Sequence, residues 1–202
     1  ARTLELADRH PVRLLGALSW AFEFEGQPYF AGFRSLATNG IDKPVLNVFR
    51  MFSKMGGMEL AAESDHAVPL DDMLEDGVRA GPDVAALAPL ERHRAAVLVW
   101  HYHDDDLPGP PAAVKVTLSG LPGERSSARL EHFRIDEEHG NAYTAWKKLG
   151  SPQEPVPDED QRLEQAGKLT PLHTPRTVAI EGGKATVEFE LPRQGVSLIV
   201  IE

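Results

Sequence analysis

Glu23 and Glu25 close an apolar run, "GALSWAFEFEG" over residues 16–26, and paired carboxylates are the working parts of many hydrolases. On an extended strand, positions i and i+2 share a face with Cα atoms roughly 6.5–7 Å apart. Retaining glycosidases hold their two carboxyl groups about 5–5.5 Å apart, and inverting ones about 6.5–9.5 Å. Spacing therefore admits the pair, but orientation opposes it. Two neighbours on one strand approach a sugar from the same side, whereas the catalytic groups must flank the scissile bond. Gripping sugar hydroxyls suits them better, because carboxylates accept hydrogen bonds and the ring of Trp20 offers an apolar face. A strand-end pair that simply faces solvent is the alternative the pattern leaves open.

"VLVWHYHDDDLPG" places His101 and His103 on one strand face, with Asp104 to Asp106 close behind. A His-x-His pair is a usable ligand geometry, yet a metal site needs a third ligand and partners that orient the first two. The pattern reads more simply as a strand with Trp100 and Tyr102 on the opposite face, followed by a solvated acidic turn. "DEEHGN", residues 136–141, reads as a polar loop for want of a positioned third group. "GLPGER" lacks the Gly-Lys-Ser/Thr ending of a phosphate loop, and Ser19 has no Gly-x-Ser-x-Gly setting. Neither a metal nor another cofactor is expected.

The elements that must position these residues differ in kind along the chain. "RTLELADRHP" starts as a helix with Leu4, Ala7 and Leu6 on its apolar stripe, and Pro11 marks its exit. "VRLLGALSWAFEF" is a near-continuous apolar run, as expected of a parallel strand covered on both faces. A long loop with Asn39-Gly40 as turn chemistry follows. "DKPVLNVFRMFSKM" predicts a helix with Asp42 as cap and Val45, Val48, Phe49 and Phe52 as the buried stripe. This is the rhythm of a parallel α/β architecture. After Gly57 come short β-rich segments separated by Gly, Pro and Asp turns: "MELAAES", "AAVLVWHYH", "AAVKVTLSG", "ARLEHFRI", "RTVAIEG", "KATVEFEL" and "VSLIVIE". They predict an antiparallel β-sandwich. "GPDVAALAPLERHR" predicts a loop plus an edge strand, and "PDEDQRLEQAG" a short helix or turn.

Composition narrows the partners. The chain has 202 residues, 42% hydrophobic, with no cysteine, so disulfides and thiolate metal sites are out. Net charge is −10; residues 1–55 carry seven Lys or Arg and five Asp or Glu, and the rest carry 14 and 26. An acidic body without a basic stripe argues against nucleic acid and anionic membranes. No window approaches 18 apolar residues. The chain opens on alanine, so the natural start is expected to have been removed or the sequence to be a piece of something longer.

Two stretches carry a family likeness. "ALSWAFEFEGQPYFAGFRSLATNGIDKPVLNVFRMFSKMG" resembles the last β/α unit of the glycoside hydrolase family 39 barrel, most closely the bacterial β-xylosidases. "HFRIDEEHGNAYTAWKKLGSPQEP" resembles the characteristic segment of that family's C-terminal β-sandwich, and the order and spacing of the two also match. The resemblance implies a mainly β chain: residues 1–56 as the end of a (β/α)8 TIM barrel, with the end of helix 7, strand 8 and helix 8, and residues 57–202 as the accessory sandwich. It implies a retaining β-xylosidase acting on xylo-oligosaccharides or aryl β-xylosides, with both catalytic glutamates upstream of Ala1 and therefore none in this chain. It also implies that Trp20 lies beneath the reacting xylose and that Glu25, with Glu23, grips its hydroxyls. Asp136, Glu137, Glu138, His139 and Asn141 would be structural, bracing the barrel–sandwich junction.

The chain's partner would then be the missing barrel, without which residues 1–55 should be poorly ordered or self-associate, as in a homo-oligomer, and turnover should be absent. Two other readings stand beside this one. A non-catalytic β-sandwich could bind carbohydrate or a protein through Trp100, Tyr102, Tyr143 and Trp146, and an α-L-iduronidase-like member of the same family would share the fold.

Overall fold

The computed structural model describes residues 2–18, 21–32, 34–121 and 125–202. Trp20, Ser19, Phe33 and part of "GLPGER" lie outside the described residues. In chain order the elements are α1 (Arg2–Arg9), β1 (Ala37–Thr38), β2 (Ile41–Asp42), α2 (Pro44–Ser53), β3 (Met58–Leu60), α3 (Leu70–Asp76), β4 (Asp83–Glu91), β5 (Arg94–Tyr102), β6 (Ala112–Leu118), β7 (Ser127–Ile135), α4 (Ala142–Lys148), α5 (Pro157–Gly167), β8 (Arg176–Ala179), β9 (Ala185–Leu191) and β10 (Val196–Ile201). They form two compact units, Ala1–Ser53 with Ile135–Thr170, and Lys54–Arg134 with Pro171–Glu202. The sequence suggests a single division near residue 56; the compact units instead draw on separated stretches.

In the first unit, α1 forms where the sequence predicts a helix, but only Ala7 of its stripe is buried. The expected buried strand does not form over residues 12–18, and Val12, Leu15 and Leu18 are 58%, 82% and 101% exposed. Beyond them, Phe22 and Phe24 are exposed too, and a lone parallel bridge joins Ala21 to Ser35. The physical reason is the absence, among the described residues, of the flanking strands and covering layers a parallel strand requires.

The stripe of α2 is also reversed. Val45, Phe49 and Phe52 are exposed, whereas Asn47 and Met51 are the buried positions. Asn47, 0% exposed, donates from Nδ2 to Gly140 O at 2.9 Å and Gly167 O at 2.7 Å, and accepts from Arg50 Nη1 through Oδ1. The expected cap, Asp42, precedes the helix and pairs with Arg50. The face with Asn47 and Met51 is thus the buried one, Val48 is partly buried, and Val45, Phe49 and Phe52 are left outward.

The unit's small core comprises Ile41 of β2, Ala142 of α4 and Leu163 of α5, with Tyr29, Phe30, Ala145, Trp146 and Leu149 packed on it. "DEEHGN" folds on itself: Asp136 Oδ1 accepts from the amides of Glu138 and His139 and lies 2.8 Å from His139 Nδ1. Asn141 Oδ1 then accepts from Thr144 N and caps α4, satisfying one of the helix's free amides. The loop thus builds a helix start from Asp136, His139 and Asn141. "PDEDQRLEQAG" is the helix α5, with Pro157 in its first turn and Glu159 accepting from Val156 N at 3.0 Å.

The second unit is mainly β. Six strands run in the order β3-β4-β5-β10-β7-β8, and β6 pairs with β9 in a two-stranded sheet. The seven segments read as strands all form strands. The segment read as an edge strand is β4, which is flanked by β3 and β5 and so is internal. Its alanines, Ala85, Ala86 and Ala88, leave room for close packing. β5 is buried over Ala95–Val99 without alternation, as befits a strand between two neighbours with both faces covered. β9 alternates instead, burying Ala185, Val187 and Leu191 while Thr186, Glu188 and Glu190 face out. Lys115 stands opposite Glu188 in that ladder, with their charged groups 3.0 Å apart. One hydrophobic core draws on both sheets, with Val97, Val99 and Ile199 from the larger and Leu118, Val187 and Leu191 from the smaller.

Candidate functional site

The two histidines of β5 and its end both bond to backbone groups. His101, 3% exposed, sets Nδ1 3.0 Å from Leu191 O. His103 sets Nε2 3.1 Å from Arg79 O and accepts from Asp105 N at 3.0 Å. His101 thus sets one ring nitrogen, and His103 both, against backbone groups, and both residues are buried. Trp100 donates to Asp83 Oδ2 at 2.7 Å. Asp104, in the acidic turn, accepts from Val78 N at 2.9 Å, and this bond, more than any other influence, holds its carboxyl below the usual range.

The carboxylates that open the sequence question lie in the first unit. The Asn39-Gly40 turn between β1 and β2 has φ of 46° and 78°, the left-handed pair that a two-residue hairpin demands. It presents the Gly40 amide to Glu23 Oε1 at 3.0 Å. Glu23 is half-buried and Glu25 is exposed. Without a strand through residues 23–25 the two do not share a strand face. One is fastened to the loop and the other is open.

Lys43 lies near Glu23 and is only 8% exposed. Its Nζ donates to Ala31 O at 3.2 Å, Gly32 O at 2.7 Å and Ser35 Oγ at 2.6 Å. Burial pulls its pKa down, and the Glu23 charge acts in the opposite direction. Tyr29 is held at both ends, its amide donating to Gln153 Oε1 at 2.9 Å and its hydroxyl to Asp160 Oδ1 at 3.3 Å. Burial first, then the Asp160 carboxylate, push the phenol up, and Glu23 adds to the effect. Phe30, at φ 57°, donates its amide to Thr38 Oγ1 and sets its ring 5.0 Å from Trp146 and 5.5 Å from Tyr143. Trp146 in turn donates to Pro152 O at 2.8 Å.

The sequence singles out Glu23, Glu25 and the Asn-Gly turn; the structure adds Lys43, Tyr29, Asn47 and Asp160 as residues with long-range or buried contacts in the same unit. Polar residues on helices and in a loop are the only local signal, and that does not foretell the partners that Tyr29 and Asn47 find about a hundred residues along the chain. Trp20 lies outside the described residues, so the aromatic half of the expected sugar site has no geometry here.

The fold and these sequence features have known counterparts. The model for glycosyl hydrolases family 39 matches residues 16–185, and the chain belongs to that family. A β-xylosidase of Caldicellulosiruptor saccharolyticus is 28% identical over 154 residues, covering 73% of this chain and 28% of the relative. Among solved structures, a monomeric β-xylosidase from Caulobacter crescentus CB15 superposes with a TM-score of 0.70 at 18% identity, over 91% of this chain and 36% of that one. A bacterial orthologue of human α-L-iduronidase gives 0.65 at 21% identity, over 80% and 27%. The chain thus spans about a third or less of the length of these relatives.

Proposed function

We propose that this chain is the C-terminal part of a retaining β-xylosidase that releases terminal β-xylose from xylo-oligosaccharides. Residues 1–56 would supply the end of a (β/α)8 barrel, completed by upstream sequence, and 57–202 the accessory β-sandwich, with 135–170 an insertion that belongs with the barrel piece. The observation that carries the reading is the family match over residues 16–185, on a chain whose relatives extend about three times further. The exposed Val12, Leu15, Leu18, Phe22 and Phe24 and the outward Val45, Phe49 and Phe52 of α2 support it, because both groups have the character of surfaces made for covering.

In the retaining mechanism one glutamate protonates the leaving oxygen while a second attacks the anomeric carbon, and water then releases the sugar. Both glutamates would come from the upstream barrel. This chain would contribute binding: Glu25 accepting hydrogen bonds from xylose hydroxyls, Glu23 fixing the adjoining loop, and Trp20 lying beneath the ring. Xylose is preferred over the substrate of iduronidase-like relatives because the sequence relative at 28% identity is a β-xylosidase. A stand-alone carbohydrate-binding module fits less well, since Trp100 and Trp146 spend their indole N–H groups inside their own units.

The test is hydrolysis of an aryl β-xyloside by the 202-residue chain and by the longer gene product. The longer protein should turn over and the short chain should not. Activity in the isolated chain, or none in a folded longer protein, would reject the reading.

A further inference from the structure

We infer that the helical segment from Asn141 to Gly167 is a positioning element for the substrate site, acting on Glu23 through Tyr29 and the β1–β2 hairpin. The inference rests on the xylosidase reading and assigns residues that reading does not need.

The chain of contacts is continuous. The segment grips the loop after Glu25 at three places: Gln153 takes the Tyr29 amide, Asp160 takes the Tyr29 hydroxyl, and Tyr143 and Trp146 flank the Phe30 ring. The Phe30 amide then donates to Thr38 Oγ1 in β1 at 2.8 Å. From β1 the hairpin turns through Asn39 and Gly40, and the Gly40 amide holds Glu23. Asn39 Nδ2 approaches Gln27 O at 3.5 Å, closing the loop on itself. At the far end, Asn47 fastens the carbonyls of Gly140 and Gly167, the two ends of the helical segment, to α2.

A segment serving only stability would need its buried core of Ala142 and Leu163 and the Asn47 clasp. It would not need to hold both ends of a half-buried tyrosine that adjoins the carboxylates. Tyr29 and Phe30 are also the first partly buried residues after the exposed Glu25-Gly26 turn, so they are where the loop that carries the carboxylates is first anchored. Sugar hydroxyls are recognised by directed hydrogen bonds, so moving a carboxylate by a fraction of an ångström weakens binding. Tyr29 and Asp160 are positioning residues here, since neither is placed on the sugar.

Tyr29→Phe and Asp160→Ala in the longer, active protein should each raise KM for an aryl β-xyloside several-fold while kcat changes less than twofold. The double variant should be no worse than the single ones, because both remove the same Tyr29–Asp160 bond. Amide exchange at Gly40 in the 202-residue chain should quicken in both variants. Glu164→Gln, an exposed residue on the same helix outside these contacts, serves as the control and should leave KM unchanged. A lowered Tm with unchanged KM and unchanged Gly40 exchange would overturn the inference and leave the xylosidase reading standing. A folded longer protein with no xylosidase activity would overturn the reading itself, and Gly40 exchange would still report whether the segment acts on the hairpin.

Discussion

The amide of Gly40 donates to the carboxylate of Glu23 across seventeen residues, at 3.0 Å. That bond ties Glu23 to the tip of a two-residue hairpin, so the position of the carboxylate follows the hairpin's backbone. Gly40 holds φ at 78°, a conformation that costs a β-branched residue far more than glycine. Gly40→Val should destabilise the first unit by about 1–2 kcal/mol and release Glu23. Urea unfolding reads the first effect, and exchange of the loop amides the second.

Asn47 gives the largest expected loss. Asn47→Ala leaves two buried carbonyls without their donor, each costing about 1–3 kcal/mol. Asn47→Asp keeps the shape but turns the donor into an acceptor facing two carbonyls, and should be at least as damaging. A denaturation midpoint for Asn47→Asp equal to that of the parent would contradict the assignment of Nδ2.

The outward face of α2 gives the proposed upstream barrel its own test. In the 202-residue chain, Phe49→Ala should change stability by less than about 0.5 kcal/mol, because Phe49 is 42% exposed. In the longer protein the same change should cost about 3–5 kcal/mol if upstream sequence covers it. Sedimentation of the short chain should also show concentration-dependent association, relieved by Leu15→Glu and Phe49→Ser together. Equal costs in the two proteins would argue that nothing covers the face.

Acid should loosen the turn that carries Asp104. Its carboxyl is held down chiefly by the Val78 amide, so the folded state favours the charged form. The unfolded chain binds a proton near pH 3.9 and the folded chain only below that, so this contribution is present at neutral pH and fades as pH falls past 4. Asp104→Asn should remove that part of the acid dependence, measurable as a flatter midpoint-versus-pH curve below pH 5.

Lys43 behaves in the opposite sense. Burial lowers its pKa, so between the folded value and about 10.4 the unfolded chain carries more protons. Stability attributable to Lys43 should therefore rise with pH through that window. Lys43→Met should flatten the alkaline limb, while orphaning Ala31 O and Gly32 O at a cost of about 1–3 kcal/mol.

Much of the second unit was legible because strand alternation is local. "KATVEFEL" shows its own inward and outward faces, and β9 buries Ala185, Val187 and Leu191 accordingly. The first unit was misread for the same reason that made it recognisable. The apolar run through Val12–Phe24 and the stripe Val45–Phe52 announce burial, and burial depends on partners that the described residues do not include. Asn47 shows the converse. A lone polar residue on a helix reads as solvent-facing, yet it is buried because Gly140 and Gly167, far along the chain, bring two carbonyls to it. Trp20 stands where sequence alone has to speak.

The interleaving of the two units also sets an order in time. Unit one needs Ile135–Thr170 to complete its core, so a nascent chain cannot finish it until Leu163 has left the ribosome. By then all of β3 to β7 has already been made, and β5, β6 and β7 still lack their partners β10 and β9. Both units close late and nearly together, which favours slow folding and a long exposure of apolar strands to chaperones. Cutting the gene at residue 56 would strand Asn47 on one product and its carbonyl partners on the other.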